Sequence, residues 1–108
     1  MDAVEQIKEQ ISSNTILLYM KGSPNAAQDT SSAMAAQTVM ACGEKFTHVD
    51  ILQHPGIRAA LPGYANCSDI PQLWVAGELI GGPDTVREMY ETGELPPLIK
   101  EAVAKAKK

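Results

Sequence analysis

Residues 15–51 alternate an apolar run, a punctuated loop, a helix-length segment and a second apolar-patterned run, and that order leaves few ways to fold. Residues 15–20 (Thr-Ile-Leu-Leu-Tyr-Met) are continuously apolar after the first position, the pattern of a strand buried on both faces. Gly22 and Pro24 mark the loop that follows. Residues 30–41 are Ala-rich and predict a helix with Ala33, Ala36, Val39 and Met40 on its inner face. Cys42-Gly43 ends it, Gly43 being suited to a left-handed cap. In residues 45–51, Thr47, Val49 and Ile51 alternate with Phe46, His48 and Asp50, so one face of a second strand reads as apolar. A strand–helix–strand unit of this length predicts a parallel pair joined by a right-handed crossover.

The flanking segments complete the pattern. Val4, Ile7 and Ile11 recur at helical spacing among polar residues, and Ser12-Ser13-Asn14 closes that amphipathic helix. His54-Pro55 opens a short helix whose Ile57, Ala60 and Leu61 point inward, with Pro62-Gly63 expected to interrupt it and Tyr64-Ala65 to add a further turn. Residues 72–75 and 78–80 flank Ala76-Gly77 and read as a β-hairpin. Gly81-Gly82-Pro83-Asp84 leads into a helix with Val86, Met89 and Tyr90 buried, started by Asp84 as a cap or by Pro83 in the first turn. Gly93 stops it, and residues 96–107 form a last helix with Leu98, Ile99 and Val103 inward. The expected architecture is a single α/β domain spanning residues 1–108, a four-stranded mixed sheet with helices on both faces. The loops at one sheet end would gather residues 21–32, Ile70-Pro71 and residues 82–84.

Composition narrows the function classes. Net charge of −4 argues against general nucleic-acid binding. Nothing approaches the roughly 18-residue apolar stretch that a membrane span needs. The acidic start, Met-Asp-Ala-Val-Glu, lacks a signal-peptide pattern, so a cytoplasmic, reducing location is expected. Cys42 and Cys67 form no C-x-x-C pair, and His48 and His54 stand at no metal-ligand spacing.

The chemistry-bearing corner is residues 21–32, Lys-Gly-Ser-Pro-Asn-Ala-Ala-Gln-Asp-Thr-Ser-Ser. It runs from a strand end to a helix start, where unpaired N–H groups and the helix dipole favour negative charge. Asp29, Thr30, Ser31 and Ser32 are all capable caps, and Lys21 adds a cation.

Several stretches resemble the monothiol glutaredoxins of the CGFS class, which have the thioredoxin fold: ILLYMKGSP at 16–24, CGEKF at 42–46, VDIL at 49–52, residues 57–66, PQLWV at 71–75, GELIGG at 77–82 and EMYETGEL at 88–95. Counting from the shared Lys-Gly-Ser-Pro, the family's Cys-Gly-Phe-Ser falls on Asp29, Thr30, Ser31 and Ser32. The resemblance therefore implies that the nucleophilic, cluster-ligating cysteine is absent. Where the family usually has Trp-Pro-Thr-Phe/Ile-Pro, this chain has Cys67-Ser68-Asp69-Ile70-Pro71, and where it has Gly-Gly-Cys-Asp, this chain has Gly81-Gly82-Pro83-Asp84. The family holds glutathione with a Lys, an Arg, the backbone before a cis-proline and a Gly-Cys-Asp loop. Those roles carry over to Lys21, Arg58, Ile70, Pro83 and Asp84. Two such proteins and two glutathiones hold a two-iron, two-sulfide cluster through the cysteine thiolates. The resemblance thus implies glutathione, a [2Fe-2S] cluster, a cluster-bridged homodimer and iron–sulfur assembly partners, with Asp29 at the catalytic position.

Three readings follow. In the first, a glutathione-dependent iron–sulfur carrier scaffold has weakened or lost cluster binding and redox activity, because Asp29 caps a helix and cannot exchange thiols. In the second, the chain is a non-redox binding or scaffold module that keeps a groove for a peptide-like ligand. In the third, Cys67, or Asp29 and Asp69 as a carboxylate pair with one pKa raised, does new chemistry. Cys67 and Cys42 read most simply as packing residues, and Trp74 and Tyr90 as core aromatics. Lys21 and Arg58 are either solvated charges or ligand contacts.

Overall fold

The computed structural model describes residues 2–106. In chain order the elements are α1 (Ala3–Ser13), β1 (Ile16–Met20), β2 (Gly22–Ser23), β3 (Ala26–Ala27), α2 (Thr30–Ala41), β4 (Thr47–Asp50), α3 (Pro55–Ala65), β5 (Gln72–Val75), β6 (Glu78–Gly81), α4 (Pro83–Glu91) and α5 (Leu95–Ala106). The main sheet has the order β4-β1-β5-β6. β1 runs parallel to β4, with Leu18 opposite His48, and antiparallel to β5, with Leu18 opposite Leu73. The expected crossover and mixed sheet are therefore both present.

All five residues of β1 are buried because the strand is central and covered on both sides. Its side chains alternate between two cores. Ile16, Leu18 and Met20 meet Ala35, Ala36 and Val39 of α2, Val86 of α4 and Ile99 of α5. Leu17 and Tyr19 meet Ile7 and Ile11 of α1 and Ile57 and Leu61 of α3 on the other side. The period-2 run in the sequence is thus what puts α2, α4 and α5 on one face and α1 and α3 on the other.

Several local expectations are corrected. Met40 is 49% exposed, and Ala35 rather than Ala33 completes the inner face of α2. A run of alanines carries no strong periodicity, so neighbouring positions compete for the inner face. Thr47 is exposed at the start of β4, an edge strand shorter than residues 45–51, while Phe46 packs into the α2 core just before it. Val4 and Tyr90 are 40% and 41% exposed, so neither is a core residue. α3 runs through Pro62-Gly63 and takes in Tyr64-Ala65. The proline forfeits one i→i−4 hydrogen bond, but buried Ile57 and Leu61 hold the turns before it and Ala65 packs against the same core after it. The last helix begins at Leu95, and the part of it expected at residue 107 lies outside the described residues. The small β2–β3 hairpin is an addition to the expected element order. Gly43 does adopt the left-handed conformation, at φ +83°.

Candidate functional site

Asp29 is the N-cap of α2, with extended backbone at φ −146° and ψ 166°. Its Oδ1 accepts a hydrogen bond from the Ser32 N–H at 2.7 Å. Its Oδ2 lies 3.6 Å from Lys21 Nζ, both side chains being about one-third exposed. Ser32, fully buried, uses its Oγ to accept from the Lys21 N–H at 3.1 Å. Lys21, Asp29 and Ser32 thus close a ring between the end of β1 and the start of α2. Partial burial pushes the Asp29 carboxyl up, but the Ser32 hydrogen bonds and the Lys21 charge outweigh it and hold the carboxyl below its ordinary range. The groups that set it are Ser32 and Lys21, with no contribution from Asp69, so Asp29 is engaged with its own cap and with Lys21 rather than with a second carboxylate.

The loop inside this ring is fixed from below. Asp50 Oδ1 accepts from Gly22 N–H at 3.0 Å and from Leu52 N–H at 2.9 Å. Gly22 sits at φ +92°, and a Cβ there would come within 2.5 Å of the Ala26 carbonyl oxygen. Only glycine lets β2 turn back onto β3 so tightly.

Ile70-Pro71 is a cis peptide bond. The segment before it is held by Gln72, which is completely buried. Gln72 Nε2 donates to the Cys67 carbonyl at 3.2 Å and to the Asp69 carbonyl at 3.4 Å. Trp74 Nε1–H donates to Gln72 Oε1 at 2.8 Å. The sequence reading missed Gln72, Ser32 and Asp50 as organisers of the site. Gln72 had a signal, since an uncharged polar residue inside an apolar strand run must find buried partners.

Lys21, Arg58, Ser68, Asp69 and Ile70 line one cavity of about 380 Å³, together with Ile51 and Pro62. Three of the expected ligand contacts, Lys21, Arg58 and Ile70, are therefore brought together. Pro83 and Asp84 are not on that wall. Pro83 stands in the first turn of α4 as expected, but the cap is Gly82, without a side-chain hydrogen bond. Asp84 does not cap; its side chain is 94% exposed and lies 3.9 Å from Arg87. Proline already fixes the first turn, which leaves Asp84 facing outward. The α4 terminus still approaches the cavity, because a Cβ on Gly82 would lie 2.6 Å from Asp69 Cβ.

The cysteines are apart from this ring. Cys42 is buried at the end of α2, where its Sγ donates to the Thr38 carbonyl at 3.4 Å; burial pushes the thiol up against the opposing charge of Lys100. Cys67 is half-buried, and its N–H donates to the Pro62 carbonyl just beyond the left-handed Asn66 cap of α3. Among the described residues no three His, Cys, Asp or Glu side chains gather into a metal-binding group. No described helix is long and apolar enough to cross a membrane.

Residues 16–80 match the glutaredoxin family. The chain is 60% identical over 104 residues to Glutaredoxin 4 of Escherichia coli strain K12, covering 96% of this chain and 90% of that one. Its fold is similar to that of a monomeric truncated mutant of Trypanosoma brucei 1-C-Grx1, with TM-score 0.83, 30% identity, and coverage of 94% of this chain and 91% of that one. It is also similar to a buckwheat glutaredoxin–glutathione complex, with TM-score 0.82, 22% identity, and coverage of 94% and 91%. These matches agree with the four-stranded fold, and the chain belongs to the glutaredoxin family.

Proposed function

We propose that this chain is a cytoplasmic glutaredoxin of the glutathione-dependent iron–sulfur carrier class in which cluster holding and thiol redox work are weakened or lost, because Asp29 stands where the family carries its cysteine. The observation that carries this reading is the engagement of Asp29 itself. Both carboxylate oxygens are spent, one on the Ser32 N–H and one on Lys21.

Iron–sulfide clusters take thiolate ligands, and a carboxylate committed to a helix cap is a poor substitute. Cys42 is enclosed, and Cys67 is half-buried just past the C-terminus of α3, with its N–H bonded to the Pro62 carbonyl. The donor set at the corner does not fit a cluster. Glutathione fits better. Lys21 and Arg58 supply cations for carboxylates, and the backbone at Ile70 offers peptide hydrogen bonding beside them. Pro83 and Asp84 contribute at most through the α4 terminus that abuts Asp69. The partner on this reading is glutathione or a peptide-like ligand, without nucleic acid or membrane. The family's cluster-bridged homodimer is not expected to form without a cluster, and iron–sulfur assembly proteins are the partners that the family resemblance implies.

Anaerobic reconstitution with iron, sulfide and glutathione tests this. The expected result is a colourless monomer with no visible absorption after desalting. A brown, glutathione-dependent dimer would overturn the reading.

A further inference from the structure

The cavity wall carries Lys21 and Arg58 as cations and Asp69 as an anion, and Asp29 sits on Lys21 from outside. Two positive and two negative groups therefore balance. Asp50, the remaining carboxylate at this corner, is spent on the N–H groups of Gly22 and Leu52. Arg58 makes no ion pair among the described residues. A ligand carboxylate can meet Arg58 without competition, but one that approaches Lys21 must displace Asp29 or share the ammonium with it. An ammonium group on the ligand finds Asp69.

We propose that Asp29 is an internal competitor for ligand carboxylate, and that it tunes the cavity to peptide-like ligands with one free carboxylate and one free amine. This inference rests on the glutathione-site reading above. Glutathione carries two carboxylates and one ammonium, so it places one negative group too many in a balanced site. Its glycine monoester keeps the peptide and the amine but lacks that second charge.

Asp29→Asn isolates the effect. Asparagine caps a helix as well as aspartate does, so the α2 terminus and the Ser32 N–H stay satisfied while the charge on Lys21 is released. Affinities of the parent and of Asp29→Asn are measured for glutathione and for its glycine monoethyl ester, from amide shifts at Lys21, Arg58 and Ile70. Relieving an ion pair about one-third exposed, and its repulsion on the ligand, should tighten glutathione binding about fivefold. The ester should gain little. If Asp29→Asn binds glutathione no more tightly than the parent, or gains equally for both ligands, the inference is overturned while the glutathione site stands. If neither protein binds either ligand at millimolar concentration, the glutathione reading fails and this inference falls with it.

Discussion

Gln72→Met is the sharpest test of how the cis-proline wall is held. Methionine nearly matches the volume of glutamine and packs without a large cavity, so the change removes hydrogen bonding rather than bulk. Three bonds go: the indole N–H of Trp74 to Oε1 at 2.8 Å, and the two Nε2 donations to the Cys67 and Asp69 carbonyls at 3.2 and 3.4 Å. They are not equal. Trp74 is only 8% exposed, so its N–H is stranded, at about 1–3 kcal/mol. Cys67 and Asp69 lie in a half-open segment whose carbonyls can turn to water, so their loss adds about 1 kcal/mol together. The sum is about 3 kcal/mol, or about 12 °C in melting temperature for a chain of this size. Urea and thermal unfolding by circular dichroism measure it, and amide shifts should spread to Ser68, Asp69 and Ile70. A Gln72→Met protein within about 0.5 kcal/mol of the parent, with those amides unmoved, would refute the assignment of Gln72 as the support of this wall.

Gly82→Ala should destabilise by about 2 kcal/mol and shift the Asp69 and Ile70 amides, because the added methyl meets Asp69 Cβ at 2.6 Å; a neutral melt with unchanged amides would contradict the packing. Asp29→Ala should cost about 1 kcal/mol at neutral pH. The folded carboxyl is held below its ordinary value of 3.8, so its contribution is complete above that pH and lost as pH falls through the folded value. The stability gap between parent and Asp29→Ala should therefore shrink in acid, and a gap that stays constant or widens would refute the assignment. Asp29→Cys places a thiol at the α2 terminus beside Lys21. Its alkylation rate, followed by peptide mass, should inflect below about pH 8.5, and an inflection at or above that value would show that the corner does not stabilise anions. In the parent, Cys67 should be alkylated well before Cys42, whose thiol is enclosed and pushed up; equal rates would mean that the end of α2 opens readily.

The sheet was legible because burial on both faces leaves a plain mark. Residues 16–20 could hardly be anything but a central strand, and the Ala76-Gly77 turn, with φ of +52° and +83°, closes the hairpin expected there. Positions whose environment depends on distant elements were not legible. The exposure of Tyr90 and Met40 depends on which distant elements cover their helices, which no local pattern encodes. β2 and β3 have two residues each, too few to show a period. Pro62 reads as a stop by itself and is overruled by the burial of its neighbours. At the site, Lys21, Arg58 and Ile70, placed by likeness, line one cavity, whereas Asp84, placed in the same way, is 94% exposed and outside that lining. Ser32 and Asp50 hold backbone N–H groups 11 and 28 residues away, a relation that spacing cannot carry, whereas Gln72 bonds carbonyls only three and five residues back and was marked by its polar character in an apolar run.

The Asp50 carboxylate has a consequence for how this corner tolerates change. It grips Gly22 from beneath, so the position of the turn is inherited from the pairing of β1 with β4 and owes little to the residues at its tip. Asn25, solvent-facing and outside the paired residues Ser23 and Ala26, is therefore open to insertion or to a grafted sequence. An engineer could rewrite that tip to install a new binding determinant and leave the anchor, and with it the aim of Lys21, untouched.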